Sequence, residues 1–352
     1  MIDTNEKLAA FLPVVQSAAW LAIDTEADSL HAYPEKVCLI QISTVTHDEL
    51  IDPLAEIKLD PLLDALDAHE LIFHAADYDL RLLRKHHEFT PSAIFDTMLA
   101  ARLLGERQFG LSNLVEKFLG VKLDKGSQKA DWARRPLTEK METYARNDTH
   151  HLKPLADKLK SELVAKDRLS WHQESCARLI TDCSHPIVVD EETVWRIKGS
   201  TFLDRSALAV LRVLWHWREH EAVAANRPPF FVLAHETMIA ISAAAAAQKP
   251  FEHLIPPRMH PRRKETLLEA IRVALTVPPS KFPPVIRHFS KRPTEEEFRR
   301  FRDIEKRRDQ HAHQLGLDPT LIASKATIGD LARDWDKYSA ELMKWQRELL
   351  KP

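Results

Sequence analysis

Two carboxylates stand at alternate positions where an apolar run gives out: Asp24 and Glu26 in "WLAIDTEADS", residues 20–29. If the run is extended, residues two apart share a face, so the two anions stand side by side and repel. A hard divalent cation between them would relieve that repulsion. Two further stretches supply oxygen donors. In "LIFHAADYDLRLL" an apolar strand runs into a helix, which puts Asp79 near a helix N-terminus, where an anion is favoured. In "YARNDTHHL" a four-residue spacing places Tyr144 and Asp148 one turn apart on one helix face. Four carboxylates and a phenol suit two Mg²⁺ or Mn²⁺ ions roughly 4 Å apart, able to activate a water and to stabilise the leaving oxygen of a phosphodiester. Without metal, so acidic a cluster should take up protons.

Positioning these groups requires strands and helices in a definite order. Residues 20–25, 36–44 and 70–75 are short apolar runs rich in Ile, Val and Phe that read as strands, with 48–52 as a fourth. Residues 60–69, 77–87, 95–105 and 112–120 carry apolar side chains at helical spacing. Strands in a meander, then a strand alternating with helices, predict an α/β domain over 1–165 with a mixed sheet flanked by helices. A linker is expected over 166–195, an all-α unit over 196–290 and a helical tail over 291–352. Pro228–Pro229, Pro256–Pro257 and "VPPSKFPPV" punctuate the helices.

Charge divides along the same lines. Residues 1–165 hold 19 Lys and Arg against 27 Asp and Glu, net −8, and residues 196–290 hold 14 against 7, net +7. The basic part could hold a polyanion and the acidic part cations; solvated faces of both signs are the plainer reading. Three cysteines in 352 residues make no disulfide framework, which predicts a reducing, cytoplasmic setting. The first apolar run is broken by Pro13, Gln16 and Ser17, so neither a signal peptide nor a membrane span is expected. None of the seven glycines falls in a dinucleotide-binding or P-loop pattern, so no nucleotide cofactor is expected.

In this order, "IDTEAD", "FHAADYDL" and "YARNDTHHL" resemble the three motifs of the DEDD 3′→5′ exonucleases, and the text between them is most similar to the ribonuclease D family. "WRIKGSTFLDRSALAVLRVLWHWREHEA" resembles the start of an HRDC domain, a helical nucleic-acid-binding module. "LGLDPTLIASKATIGDLA" and "KWQRELL" resemble the ends of a second, degenerate one. The resemblance implies a ribonuclease H-like exonuclease domain in which Asp24, Glu26, Asp79 and Asp148 hold two metals and Tyr144 orients the attacking water. Asp79 is preferred to Asp77 because the family has a leucine directly after this aspartate. Thr143 stands where another branch of the superfamily has its histidine, which favours the tyrosine branch and leaves His150 and His151 as surface or packing residues. The implied reaction releases nucleoside 5′-monophosphates from an RNA with a free 3′ end, tRNA precursors among them. A DNA-directed exonuclease and an inactive nucleic-acid-binding scaffold are the alternatives.

Other residues have two readings each. His74 shapes the strand end beside the site. Lys125, Gln128, Trp132 and Arg135 could contact the terminal nucleotide, or Trp132 could pack the loop and Arg135 pair with an acidic neighbour. His172, Cys176, Cys183 and His185 could be taken for zinc ligands, but their spacing fits no common site, and buried thiols are the default. Of Trp215 and Trp217, on different sides of a helix, at least one belongs to a core. Arg258, Arg262, Arg263 and Lys264, beside the helix-starting Pro261, are candidate phosphate contacts. Deleting 196–352 should therefore weaken RNA binding and spare some cleavage.

Overall fold

The structure is a computed structural model that describes residues 1–124, 126–186, 189–286 and 292–351. Five strands, β1 (Leu21–Ala27), β2 (Val37–Ser43), β3 (Asp48–Ile51), β4 (Glu70–Phe73) and β5 (Ala93–Asp96), form one sheet in the order β3-β2-β1-β4-β5. The first three pair antiparallel, while β4 and β5 run parallel to β1 and to each other. Every residue of the apolar "VCLIQIS" in β2 is buried, as expected of a strand covered on both faces. The meander followed by parallel strands matches the mixed sheet anticipated from the sequence.

Two elements differ from that expectation. The stretch 95–105 is a strand end followed by a helix: Asp96 closes β5 and caps α4 (Thr97–Leu104) by accepting from the N–H groups of Met98 and Leu99. The N-terminal run, which looked merely interrupted, is α1 (Asn5–Gln16). Its Leu8, Phe11 and Val15 recur at helical spacing and are buried, and Pro13 sits inside it. The remaining helices of this half are α2 (Asp60–Asp67), α3 (Asp77–His87), α5 (Leu111–Leu119), α6 (Glu139–His150) and α7 (Leu152–Ala165).

The domain boundaries also shift. One unit comprises 1–27, 37–186 and the described part of 291–352; the other comprises 28–36 and the described part of 187–290. Most of the expected linker is α8 (Leu169–Ser184), an integral helix whose His172, Cys176 and Cys183 are buried against the sheet side of the first unit. His172 donates from Nε2 to the Asp96 carbonyl at 2.9 Å and packs on Phe95. Burial pushes the Cys176 thiol up to about 12 and that of Cys183 to about 11, and among the described residues these histidines and cysteines form no group of ligand atoms close enough to share an ion. The zinc reading is thereby dropped.

The tail is no appendage either. It forms α13 (Glu295–Leu315), α14 (Pro319–Ile322), α15 (Lys325–Arg333), α16 (Trp335–Tyr338) and α17 (Lys344–Leu350). Ile304, Ile322, Ile328, Leu331 and Trp345 share one core with Leu103, Leu155 and Leu159. Gly105, at φ 92°, ends α4 where a Cβ would collide with the Gly316 carbonyl, so only glycine permits this approach. The tail therefore supplies part of the core of the first unit.

The second unit contains α9 (Arg205–Ala224), α10 (Pro229–Val232), α11 (His235–Ala246) and α12 (Pro261–Leu275) around a core that includes Trp195, Leu211, Leu214, Met238 and Leu267. Trp215 and Trp217 are both partly buried against it. The starts of α9, α10 and α11, at 205, 229 and 235, precede those of α13, α14 and α15, at 295, 319 and 325, by 90 residues each. The same offset relates two buried arginines, Arg218 at 3% exposure and Arg308 at 5%, each bonded to the acidic residue that follows it. Helices and ion pairs thus repeat without a gap over about forty residues.

Candidate metal centre

The site is built from the central strand outward. β4 runs beside β1 only at Leu21 and Ala22, so further along β1 the Thr25 N–H meets no strand partner there and donates to Asp79 Oδ1 at 3.1 Å. The Thr25 hydroxyl donates to the same oxygen at 2.5 Å. Asp79 reaches this place because β4 ends in a tight turn: Ala75 takes φ 62° and α3 begins at Asp77. That turn is held by Asp96, fully buried, whose Oδ1 accepts from the Ala75 N–H at 3.3 Å and whose Oδ2 accepts from the Ala76 N–H at 2.8 Å. On the opposite wall α6 starts with a Thr138 cap and buries Met141, Ala145 and Thr149, which leaves Tyr144 and Asp148 facing the strand.

Ligand oxygens of Asp24, Glu26 and Asp148 lie within 4.8 Å of one another, the only such group among the described residues. Asp79 and Tyr144 line the same cavity, about 410 Å³, but Asp79 is not part of that trio. Asp77, by contrast, pairs with Arg81 one turn on. Among the described residues no Lys or Arg lines the cavity, and the electrostatics follow from this. Burial, then repulsion from Asp79, Asp148 and Glu26, holds Asp24 well above the usual carboxylate range. Burial and the charges of Asp148 and Asp79 push Glu26 up to about 9. Burial lifts Asp79 to about 7 against its Thr25 hydrogen bonds, and Asp148 to about 7 against the Tyr144 hydroxyl directed at it. Burial and the same carboxylates raise Tyr144, which stays a phenol. An all-oxygen donor set that resists carrying its own charge fits hard divalent cations.

The proposed substrate contacts separate. His74 and Gln128 line the cavity, and His74 Nδ1 lies 2.9 Å from the Thr97 hydroxyl. Trp132 and Arg135 do not face it, which corrects that expectation. Trp132 is 1% exposed in a core with Cys38, Leu39, Leu50 and Met141, its ring 6.1 Å from that of Tyr144, so no face is left for a base. Arg135 is spent on Asp52, at 2.5 and 2.6 Å, and on the carbonyls of Cys38 and Trp132. Lys125 lies outside the described residues. His150 pairs with Asp48 on the surface. Arg263 of the basic cluster pairs with Glu221.

Asp96 escaped the sequence reading, because a buried aspartate between a strand and a helix looks like an ordinary cap; an Asp–Thr step directly after an apolar run was the available signal. Gly110–Asn113, the start of α5, also line the cavity, and its N-cap has no side-chain hydrogen bond.

A model of 3′-5′ exonuclease domains matches residues 1–164, and one of HRDC domains matches 207–249. A ribonuclease D of Zymomonas mobilis is 36% identical over 243 residues, 68% of this chain and 62% of that protein. A ribonuclease D of a Jannaschia species is 31% identical over 298 residues, 81% of this chain and 76% of that protein. The chain spans just under two thirds of the length of the first of these relatives. Among solved structures, that of Escherichia coli RNase D, described as an exoribonuclease involved in structured RNA processing, superposes with a TM-score of 0.75. Sequence identity there is 26%, over 99% of this chain and 96% of the other. The exonuclease-domain match, the HRDC-domain match and the breadth of the Jannaschia alignment place this chain in the ribonuclease D family.

Proposed function

We propose that the chain is a metal-dependent 3′→5′ exoribonuclease that removes nucleoside 5′-monophosphates from RNA with a free 3′ end, tRNA precursors included. The observation that carries this reading is the meeting of Asp24, Glu26 and Asp148 from distant segments within 4.8 Å, in a cavity shared with Asp79 and Tyr144. These four carboxylates would hold two Mg²⁺ or Mn²⁺, which when bound supply neutralisation of the phosphoryl oxygens and a water acidic enough to attack near neutral pH. Tyr144 keeps its proton because of the carboxylates around it, so it orients water by hydrogen bonding and does not act as the base. His74 and Gln128 border the terminal nucleotide. The 90-residue repeat supports reading the tail as a second HRDC unit, which the nuclease half has absorbed into its core. All three cysteines are free and buried, in keeping with a cytoplasmic enzyme, and among the described residues no helix is long and apolar enough to cross a membrane.

Incubation of a 3′-extended tRNA with Mg²⁺ or Mn²⁺ should give a ladder that shortens from the 3′ end only. Asp24→Ala or Asp148→Ala should lower the rate by about 10³-fold or more, the several kcal/mol a metal site contributes, with RNA affinity in EDTA little changed. Full activity in either variant would overturn the assignment. A matched DNA oligonucleotide shortened faster than the RNA would favour the DNA-directed reading, since a phosphodiester site does not sense the 2′-OH by itself.

A further inference from the structure

The second unit carries a surface that the exonuclease site does not use. Residues 196–205, "RIKGSTFLDR", lead into α9, and residues 281–286 return beside them. Between them lies a cavity of about 390 Å³ lined by Arg196, Lys198, Ser200, Thr201 and Val285 among others. Three arginines from different points of the chain fasten on carbonyls of the returning segment. Arg212 donates to Lys281 at 3.5 Å, Arg205 to Phe282 at 2.9 Å and Arg196 to Pro284 at 2.9 Å. A guanidinium has five N–H groups, so each arginine retains donors for another acceptor. Arg196 lies over the buried Trp195 ring at 4.4 Å, and its buried Nε has no acceptor among the described residues.

Opposing charge is scarce. Glu192 is the acidic group that acts on Arg196, and Asp204 is occupied in capping α9 through the Ala207 N–H. Among the described residues no carboxylate forms an ion pair with Arg196, Lys198, Arg205, Arg212 or Lys281. Next to Thr201 of the cavity wall stands Phe202, 91% exposed, the most exposed large apolar side chain described. A phenyl ring held in water at that cost, flanked in the chain by Lys198 and Arg205, offers a π-face between cations, the pairing that single-stranded nucleic acids use for base and phosphate. A duplex, whose bases are already stacked, has nothing to offer the ring.

We propose that Phe202, together with Arg196, Lys198, Arg205 and Arg212, forms a grip for single-stranded RNA, one base on the ring and the adjoining phosphates at the cationic cavity. The grip rests on the RNA reading of the function. It is built mostly from residues on either side of 207–249, the span of the HRDC match. Of the basic run at the start of α12, Arg263 is engaged by Glu221.

The test is fluorescence anisotropy with the full chain in EDTA, where no turnover can occur, using an unstructured 20-nucleotide RNA and a blunt RNA duplex at several salt concentrations. Phe202→Ala should weaken single-strand binding about tenfold and leave duplex binding unchanged, while Phe202→Trp retains affinity. Lys198→Ala with Arg212→Ala should lower the slope of log affinity against log salt by about 1.4, that of two phosphate contacts on a single strand. Parental affinity and slope in both variants would overturn the grip and leave the surface to a protein partner; equal loss on duplex and single strand in Phe202→Ala would overturn the stacking. Because binding is read without cleavage, failure of the exonuclease assignment shows separately, as intact RNA when Mg²⁺ is supplied.

Discussion

Asp96 is placed to touch no substrate, yet four backbone N–H groups end on its carboxylate: those of Ala75, Ala76, Met98 and Leu99. It fixes both the left-handed turn that delivers Asp79 and the start of α4. Asp96→Ala leaves buried donors without acceptors and should cost about 3 kcal/mol or more in denaturant unfolding. Asp96→Asn, which keeps one acceptor oxygen, should cost less yet still weaken Mn²⁺ binding by about 10–100-fold, as outer-shell changes do. A variant as stable and as metal-avid as the parent would remove this role. The ligands themselves make a second prediction. With Glu26 near 9 and Asp79 and Asp148 near 7, the metal-free site holds protons at pH 7.5 that a cation must expel. Mg²⁺ affinity should therefore rise with pH from about 6 to 9, and calorimetric heats should differ between buffers of different ionisation enthalpy; heats independent of buffer would contradict it. The carboxylates were legible in the sequence because type and two- or four-residue spacing already define them. Trp132 was not, since whether an indole faces a cleft or a core is decided by Cys38, Leu50 and Met141, which lie far from it in sequence or nine residues on in a helix not yet placed.

At the scale of elements, the helix that looked like a linker is the support behind the site. α8 brings His172 against the carbonyl of Asp96, and burial lowers the pKa of this histidine below its ordinary value. The sign follows: folding favours the neutral ring, so its contribution is complete above the unfolded value of about 6.5 and is lost as pH falls through the lower folded value. The melting temperature should fall between pH 7 and pH 5, and the fall should be smaller in His172→Gln; identical pH profiles would exclude the residue as a source. Four of five strands could be read from apolar runs, whereas β5 could not. Its "AIFD" is only four residues long and is followed without a break by the helical spacing of α4. The period changes from two to 3.6 at Asp96, and a window long enough to detect a helix absorbs the strand.

For the whole molecule, the tail decides what can be removed. Each of Ile304, Ile322, Ile328, Leu331 and Trp345 is buried with the nuclease core, and such burials are worth about 1.5–3 kcal/mol apiece. Their sum matches the roughly 5–15 kcal/mol by which domains are stable. Deletion of 196–352, expected from the sequence to spare cleavage, should thus leave an insoluble or molten fragment. Replacing only 189–286 with a flexible linker should give a folded chain that still shortens short RNAs. Circular dichroism and cleavage of a short oligonucleotide compare the two, and a well-folded, active 1–195 fragment would refute the packing argument. The tail's membership was hidden because its amphipathic helices show that they bury a face without naming the surface that covers it.

The 28–36 segment, which leaves the sheet after Ala27 and returns at Val37, also bears on how the chain is made. It groups with residues that emerge from the ribosome more than 150 positions later, and the nuclease core waits longer still, for α17 at Lys344–Leu350. At about 5–20 residues per second, the acidic strand is exposed for roughly 15–65 s before its last neighbours are synthesised. Neither unit is a continuous stretch, so neither can be excised or exchanged between proteins as one segment, and the first cannot close until the second has been made. The apolar faces of the first unit therefore stay open until the segment that carries α17 has been made and packs against them.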